Sequence, residues 1–314
     1  MIKVAFFGIN DYGYEILKKI VSNKNYSVAI VTGKSKAVEH VNFLENKLKN
    51  YCKDNKLPYR ESVDINVDSE IHEILDDTDL GIIGGYDKII KANVLERVNI
   101  GFINTHFGLI PNNRGCNPTT WSILSGINQG YTTYKVNEKI DFGDILDQYS
   151  LPNSNLTSYD SYYLLSKVAV ERFEFSLQNL LSGKVKEISR EPNRYFKQGM
   201  PNDSYVSWHW NKDFLLRFYN SLYFPPYKPC RSVYCDLEFF FHVRGVVDFS
   251  DSSQSNLSNG TVITVYDNMF IVKCLDGLVV CEKITETNFS VDNVLESKQG
   301  LIHPIDMLFS GDYI

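Results

Sequence analysis

The sequence predicts an α/β fold followed by a smaller, mainly antiparallel β domain, on three observations. Residues 2–8 (IKVAFFG) are a continuous apolar run ending at Gly8, the pattern of a strand buried on both faces of a parallel sheet. From there to residue 104, apolar runs alternate with segments of helical periodicity, as right-handed βαβ units require. Beyond residue 230 the texture changes to short alternating strands separated by Ser/Asn/Gly turns. The first part is therefore expected to be a Rossmann-like, mostly parallel twisted sheet with helices on both faces. The last is expected to be a small barrel (OB-like) or open sheet.

Taken in order, the strand at 2–8 leads into a helix near 12–22, with Ile16, Leu17 and Ile20 on one face. Strand 27–32 (SVAIVT) precedes a charged helix near 38–54. A short extended piece at 58–60, a helix near 69–75 and a strand at 79–84 (DLGIIG) follow, and the segment KANVLERV leads into strand 99–104. A helix is expected at about 117–125, strands near 130–137 and 144–149, and one long helix at about 157–183. Residues 184–204 are polar, carry Gly and Pro, and read as a linker. A helix near 211–222 ends at Pro225-Pro226, and three short strand segments complete the chain. The expected domains are 1–183, the linker 184–204, and 205–314.

A length of 314 residues exceeds one ordinary core. The composition, 43% hydrophobic and 22% charged, is globular. A net charge of −6 argues against a nucleic-acid-wrapping protein. The six cysteines have irregular spacing and no CxxC pair, which fits reduced thiols rather than a disulfide framework or zinc site. The start lacks a basic region followed by a long apolar stretch, and no run approaches a membrane span. The chain is expected to be cytoplasmic, with no membrane partner.

Two phosphate-binding patterns are excluded. Gly8 and Gly13 do not fit G-x-G-x-x-G, and GKSK at 33–36 lacks the upstream Gly of a phosphate loop.

The informative stretch is INTHFGLIPNNRGCNPTTW, residues 103–121. Asn104 and His106 close a buried strand, and their period-two spacing sends both side chains to the same side. Ligands bind at the carboxyl ends of strands in open α/β sheets. There an Asn amide can donate to an oxygen gaining negative charge, and a His can accept or donate a proton near neutral pH. Alone, a strand-end His is more often a structural hydrogen-bonder, and an Asn there is usually a turn former. Pro111, Arg114, Gly115 and the run Asp141-Phe142-Gly143-Asp144 shift the balance.

With Asn104-Thr105-His106, GLIPNNRG (108–115) and KIDFGDILDQ (139–148) in this order, the chain resembles the N10-formyltetrahydrofolate-dependent formyltransferases. One departure is Phe107-Gly108 before the Leu, where a Ser is common. The resemblance implies Asn104, His106 and Asp141 as the catalytic set, acting without a metal. Asn104 and a protonated His106 would stabilise the oxyanion formed when an amine attacks the formyl carbonyl. Asp141 would orient His106 or a water and help remove the amine's proton. The formyl donor would be N10-formyltetrahydrofolate, its pterin in a slot between GGYDKII (84–90) and residues 137–141. Gly84, Gly85, Tyr86, Ile89, Ile90, Arg114 and Asn137 are thereby implied as cofactor-binding, and Lys88 as a contact for the acceptor.

The stretches RYFKQGMPNDSYVSWHW (194–210) and FYNSLYFPPYKPCRSVY (218–234) look like the connecting segment of sugar-nucleotide N-formyltransferases. That resemblance implies a dTDP- or UDP-linked 4-amino or 3-amino deoxysugar as acceptor, serving surface-polysaccharide (lipopolysaccharide, O-antigen) synthesis. Tyr223, Phe224 and Tyr227 are candidates to stack on the base, and Arg194 and Lys197 to meet phosphate. Hydroxyornithine in siderophore assembly and methionyl-tRNA are the alternative acceptors. The scarcity of Lys and Arg over residues 230–314 argues against tRNA. Relatives that act on sugars are commonly dimers, which leaves a homodimer open.

Overall fold

The computed structural model describes residues 1–8, 10–33, 39–86, 88–151, 155–188, 194–284 and 294, with no account of side chains at 39–45. Most of GKSK, residues 189–193 of the expected linker, and nearly all of 285–314 lie outside the described residues. The chain forms two units interleaved in sequence. The first comprises residues 1–114, 130–150 and 163–193; the second comprises 115–129, 151–162 and the residues from 194 on.

The elements run β1 (Ile2–Gly8), α1 (Asp11–Ser22), β2 (Tyr26–Thr32), α2 (Glu39–Asp54), α3 (Ser69–Leu75), β3 (Leu80–Gly84), α4 (Ala92–Leu95) and β4 (Gly101–His106). Next come β5 (Arg114–Gly115), α5 (Pro118–Ser125), β6 (Gln129–Lys135), β7 (Ile145–Leu151), α6 (Ser158–Glu171) and α7 (Phe173–Leu181). The rest are β8 (Tyr195–Phe196), a 3-10 turn at Pro201–Ser204, α8 (Lys212–Leu222), β9 (Cys230–Tyr234), β10 (Leu237–Val247), α9 (Ser252–Ser255), β11 (Val262–Tyr266), β12 (Met269–Lys273) and β13 (Leu278–Lys283).

The sheet of the first unit has the order β2-β1-β3-β4-β6-β7. The β1–β2, β1–β3 and β3–β4 pairs are parallel, and β4–β6 is antiparallel. β1 and β3 are continuous apolar runs because both faces of the sheet are covered: five of the seven residues of β1 and all of β3 are buried. One core joins Phe7 and Ala5 of β1 to Ile83, Phe102, Val94 and Ile71. Each large apolar side chain buried there contributes about 1.5–3 kcal/mol.

Glycines set how closely the layers approach. A Cβ at Gly13 of α1 would lie 2.0 Å from the Gly84 carbonyl oxygen, and one at Gly84 would lie 2.6 Å from the Gly13 Cα. Asn10 caps α1 through the Gly13 N–H at 2.8 Å and occupies the space a Cβ on Gly85 would need.

The expected single helix at 157–183 is instead two. Arg172, at φ −90° and ψ 2°, separates α6 from α7. Its guanidinium holds the buried carboxylate of Asp147 bidentately at 2.6 and 2.9 Å, and Tyr131 donates to the same carboxylate at 2.7 Å. Burial, then the bond to Asp147, push the Tyr131 phenol's pKa up.

In the second unit α5 packs with α8, whose buried face is Phe214, Leu215, Phe218, Tyr219 and Leu222. Trp121 of α5 stacks on Phe196 at 4.6 Å. The β strands form one antiparallel sheet of order β11-β12-β13-β10-β9. Helix α5 therefore groups with the C-terminal sheet rather than with the residues before it, because Trp121 and Leu124 complete the α8 core.

Candidate active site

The parallel register places the strand ends that matter at one edge. Ile83 pairs with Asn104, so Gly84–Gly85 at the end of β3 and Asn104–His106 at the end of β4 lie together at the sheet's carboxyl side. β6 then runs back antiparallel, with Asn104 opposite Tyr134 and His106 opposite Thr132. Alternation sorts the side chains. Thr105 turns the other way, bonding Thr133 at 2.9 Å and Tyr12 of α1 at 2.7 Å.

His106 is 8% exposed. Its Nε2 lies 2.7 Å from the Asn113 carbonyl oxygen. A carbonyl can only accept, so Nε2 carries the proton and Nδ1 is the nitrogen that faces Asp141, at 3.5 Å from Oδ2. Asp141 is also 8% exposed, and it holds a left-handed backbone, φ 49°. Two features maintain that conformation. Arg114 Nε donates to the carbonyls of Ile140 and Asp141, both at 3.0 Å, and Nη2 donates to Ile140 at 2.5 Å. At Gly143 a Cβ would lie 1.7 Å from the Lys135 carbonyl oxygen, so only glycine lets the turn close on β6.

Tyr134 joins the set. The Asn104 amide donates to its Oη at 2.9 Å, and Oη donates to Asp141 Oδ1 at 2.9 Å. Burial, then the charge of Asp141, push the Tyr134 phenol's pKa well up. The structure thus brings the three sequence-predicted residues Asn104, His106 and Asp141 into one network through a residue that the sequence did not single out. The signal for Tyr134 was its strand alternation, but the register that sets it opposite Asn104 is not local.

The other expected residues fare differently. Gly84 and Gly85 stand at the same edge, yet the space of their missing Cβ atoms is filled by Gly13 and Asn10 of the chain itself. Ile90 is buried among Phe7, Val94 and Phe102. Ile89 is 60% exposed, and Tyr86 is half-buried, edge-on to Phe7. Arg114 clamps the aspartate turn through the carbonyls of Ile140 and Asp141, its guanidinium also 4.7 Å from the Phe142 ring. Lys88 donates to the Val63 carbonyl. Asn137 spans the turn, accepting from the Lys139 N–H at 2.9 Å and donating to Phe142 at 2.8 Å. An open cavity of about 460 Å³ lies against Asn137, Lys139 and Phe142. Among the described residues, no group of His, Cys, Asp and Glu is placed to hold a metal.

Arg194, Lys197, Tyr223, Phe224 and Tyr227 belong to the second unit. Phe224 lies 5.6 Å from Tyr159, 5.4 Å from Tyr162 and 6.3 Å from Tyr227. Tyr227 is 50% exposed. Tyr223 packs instead on Tyr219 and His242. Arg194 is half-buried and Lys197 exposed.

At the carboxyl edge of the first sheet a strand-end Asn-x-His thus faces an Asp held at the next turn. A family model described as formyl transferase matches residues 2–165, more than half of the 314 residues, and the chain belongs to that family. The methionyl-tRNA formyltransferase of Listeria welshimeri serovar 6b is 27% identical over 198 residues, which make up 62% of this chain. The chain spans 63% of that relative's length. Among solved structures, WlaRD, a sugar 3N-formyl transferase in the presence of dTDP and 5-N-formyl-THF, superposes with a TM-score of 0.63 at 17% identity. It covers 91% of this chain and 99% of its own. A 4-N formyltransferase from Francisella tularensis superposes with a TM-score of 0.64 at 20% identity, covering 77% and 97%. No helix among the described residues is long and apolar enough to cross a membrane.

Proposed function

We propose that this chain transfers a formyl group from N10-formyltetrahydrofolate to the amine of a nucleotide-linked amino sugar, serving surface-polysaccharide synthesis in the cytoplasm. The observation that carries the reading is the placement of Asn104, His106 and Asp141 in one network at the carboxyl edge of β4. The donor set fits a carbonyl that gains negative charge. Asn104 uses one N–H on Tyr134, and its second makes no hydrogen bond among the described residues. When bound, the folate supplies a one-carbon unit at the formyl oxidation level.

The chain's own residues then divide the work. The second Asn104 N–H donates to the oxygen that becomes anionic. His106 Nε2 donates to the Asn113 carbonyl and Nδ1 faces Asp141, so the amine's proton is taken up by the His106–Asp141 pair. Asp141 favours the imidazolium that results. Arg114 keeps Asp141 in place by holding the turn's carbonyls. The cavity beside Asn137 and Phe142 is the space next to that turn. The exposed ring of Tyr227, next to Pro225-Pro226, supports stacking on a nucleotide base, and the likeness to WlaRD supports a sugar acceptor.

A second reading, methionyl-tRNA formylation, is favoured by the sequence relatives. The net charge of −6 and the few basic residues beyond 230 weigh against it. Incubation with N10-formyltetrahydrofolate and a panel of dTDP- and UDP-amino sugars, hydroxyornithine and charged methionyl-tRNA separates the acceptors. Tetrahydrofolate release with the amino sugars alone is the expected result. Release with tRNA alone replaces the sugar reading, and release with none removes the enzyme reading.

A further inference from the structure

We propose that Tyr134 is a positioning residue whose phenol sets the Asn104 amide and the Asp141 carboxylate at once, coupling the oxyanion donor to the proton-accepting pair. Its kinetic consequence rests on the formyl-transfer reading; its geometry does not.

The direction of each bond follows from what the groups can do. The Asn104 amide nitrogen can only donate, so Tyr134 Oη accepts from it over 2.9 Å. The phenol has a single proton, and an ionised carboxylate can only accept. That proton therefore points at Asp141 Oδ1, also over 2.9 Å. The chain runs one way, from Asn104 through Tyr134 to Asp141.

Two consequences follow. An Asn side chain that is free to rotate can present its carbonyl oxygen, which repels an oxyanion, as readily as its amide. Tyr134 accepts only from the amide nitrogen, so that rotation is stopped and the second N–H keeps one orientation. On the other side, Tyr134 engages Oδ1 and leaves Oδ2 for His106, 3.5 Å away. Hydrogen bonds in series polarise one another, so a change of charge at the His106–Asp141 pair is felt at the Asn104 N–H.

The phenol is suited to hold rather than to react. Tyr134 is 3% exposed and packs with Ile110 and Ile145. Burial and the Asp141 charge push its pKa well up, so it keeps its proton and is not the base. A phenylalanine has the same ring and fills the same space without either bond.

Tyr134→Phe in the full chain tests this in two measurements. Steady-state kinetics are expected to show kcat lowered about 10- to 100-fold, with KM for the formyl donor changed by less than about twofold. A crystal structure of Y134F beside the wild type is expected to show the Asn104 amide or the Asp141 carboxylate turned from its wild-type rotamer. Wild-type kcat in Y134F overturns the proposal, and so does a lowered kcat with both side chains unmoved. An equal rise in KM with unchanged kcat overturns it too, since that marks lost binding. A wild type that formylates no amine removes the formyl-transfer reading. The crystal comparison then decides the positioning role by itself.

Discussion

The Arg114 guanidinium donates over 3.0 Å to the backbone carbonyl of Asp141, the residue whose carboxylate faces His106. An arginine buried beside such a loop invites the reading of a ligand-binding cation. Here its Nε and Nη2 donate to the 140–141 carbonyls and steady the left-handed backbone at Asp141. Lysine keeps the charge but not the planar fork. R114K is expected to lower kcat about tenfold or more and to cost about 1.5–3 kcal/mol of stability, read by turnover and urea unfolding. A variant with lost donor affinity and wild-type stability would contradict this assignment.

The glycine of the Asp-x-Gly run has a steric role. Gly143→Ala would drive a Cβ to 1.7 Å from the Lys135 carbonyl oxygen, which is backbone and cannot swing aside. G143A is expected to destabilise the chain by about 1–3 kcal/mol in urea unfolding. Unchanged unfolding with lost activity would instead assign Gly143 to ligand contact.

Residues Asn202, Asp203 and Ser204 are all left-handed, at φ 47°, 46° and 67°. A non-glycine residue pays about 1–2 kcal/mol for that conformation. Ser204→Gly is expected to stabilise by about 1 kcal/mol, raising the thermal midpoint by about 2–4 °C. A lowered midpoint would show that the Ser204 side chain contributes a bond outweighing the strain.

Asp79, at the amino edge of the first sheet, is a source of acid sensitivity. Asp79 accepts from the Lys3 backbone N–H at 2.8 Å, and that bond, with help from Asn99, holds its carboxyl pKa below the ordinary 3.8. A depressed carboxylate contributes stability that is present above the unfolded value and lost as pH falls through the folded one. The stability gap between wild type and D79N is therefore expected to be full at pH 7 and to close below about pH 4. Denaturant unfolding across that range checks it, and a gap that widens in acid would contradict the assignment.

Much of the fold was legible in the sequence because the signals are local. The run at 2–8 and the helix at 69–75 lie where periodicity places them, since buried parallel strands read as unbroken apolar runs. Asn104 and His106 were legible as a pair because alternation is a property of a single strand. Tyr134 was not, because its meaning comes from a register across a gap of 30 residues. The break at Arg172 was hidden for the same reason: its partner Asp147 lies 25 residues away, and the α6–α7 stretch keeps a helical pattern throughout. Gly84 and Gly85 showed that a close approach occurs, but not that Gly13 and Asn10 make it.

The central claim is that Asn104 and His106 act on a formyl group in transfer to an amine. Single-turnover release of tetrahydrofolate from N10-formyltetrahydrofolate, with a dTDP-amino sugar as acceptor, tests it most directly in wild type, N104A and H106A. Wild type is expected to release tetrahydrofolate together with formylated sugar, and each variant to be slower by about 100-fold or more while still binding the folate. Variants as fast as the wild type would contradict the account.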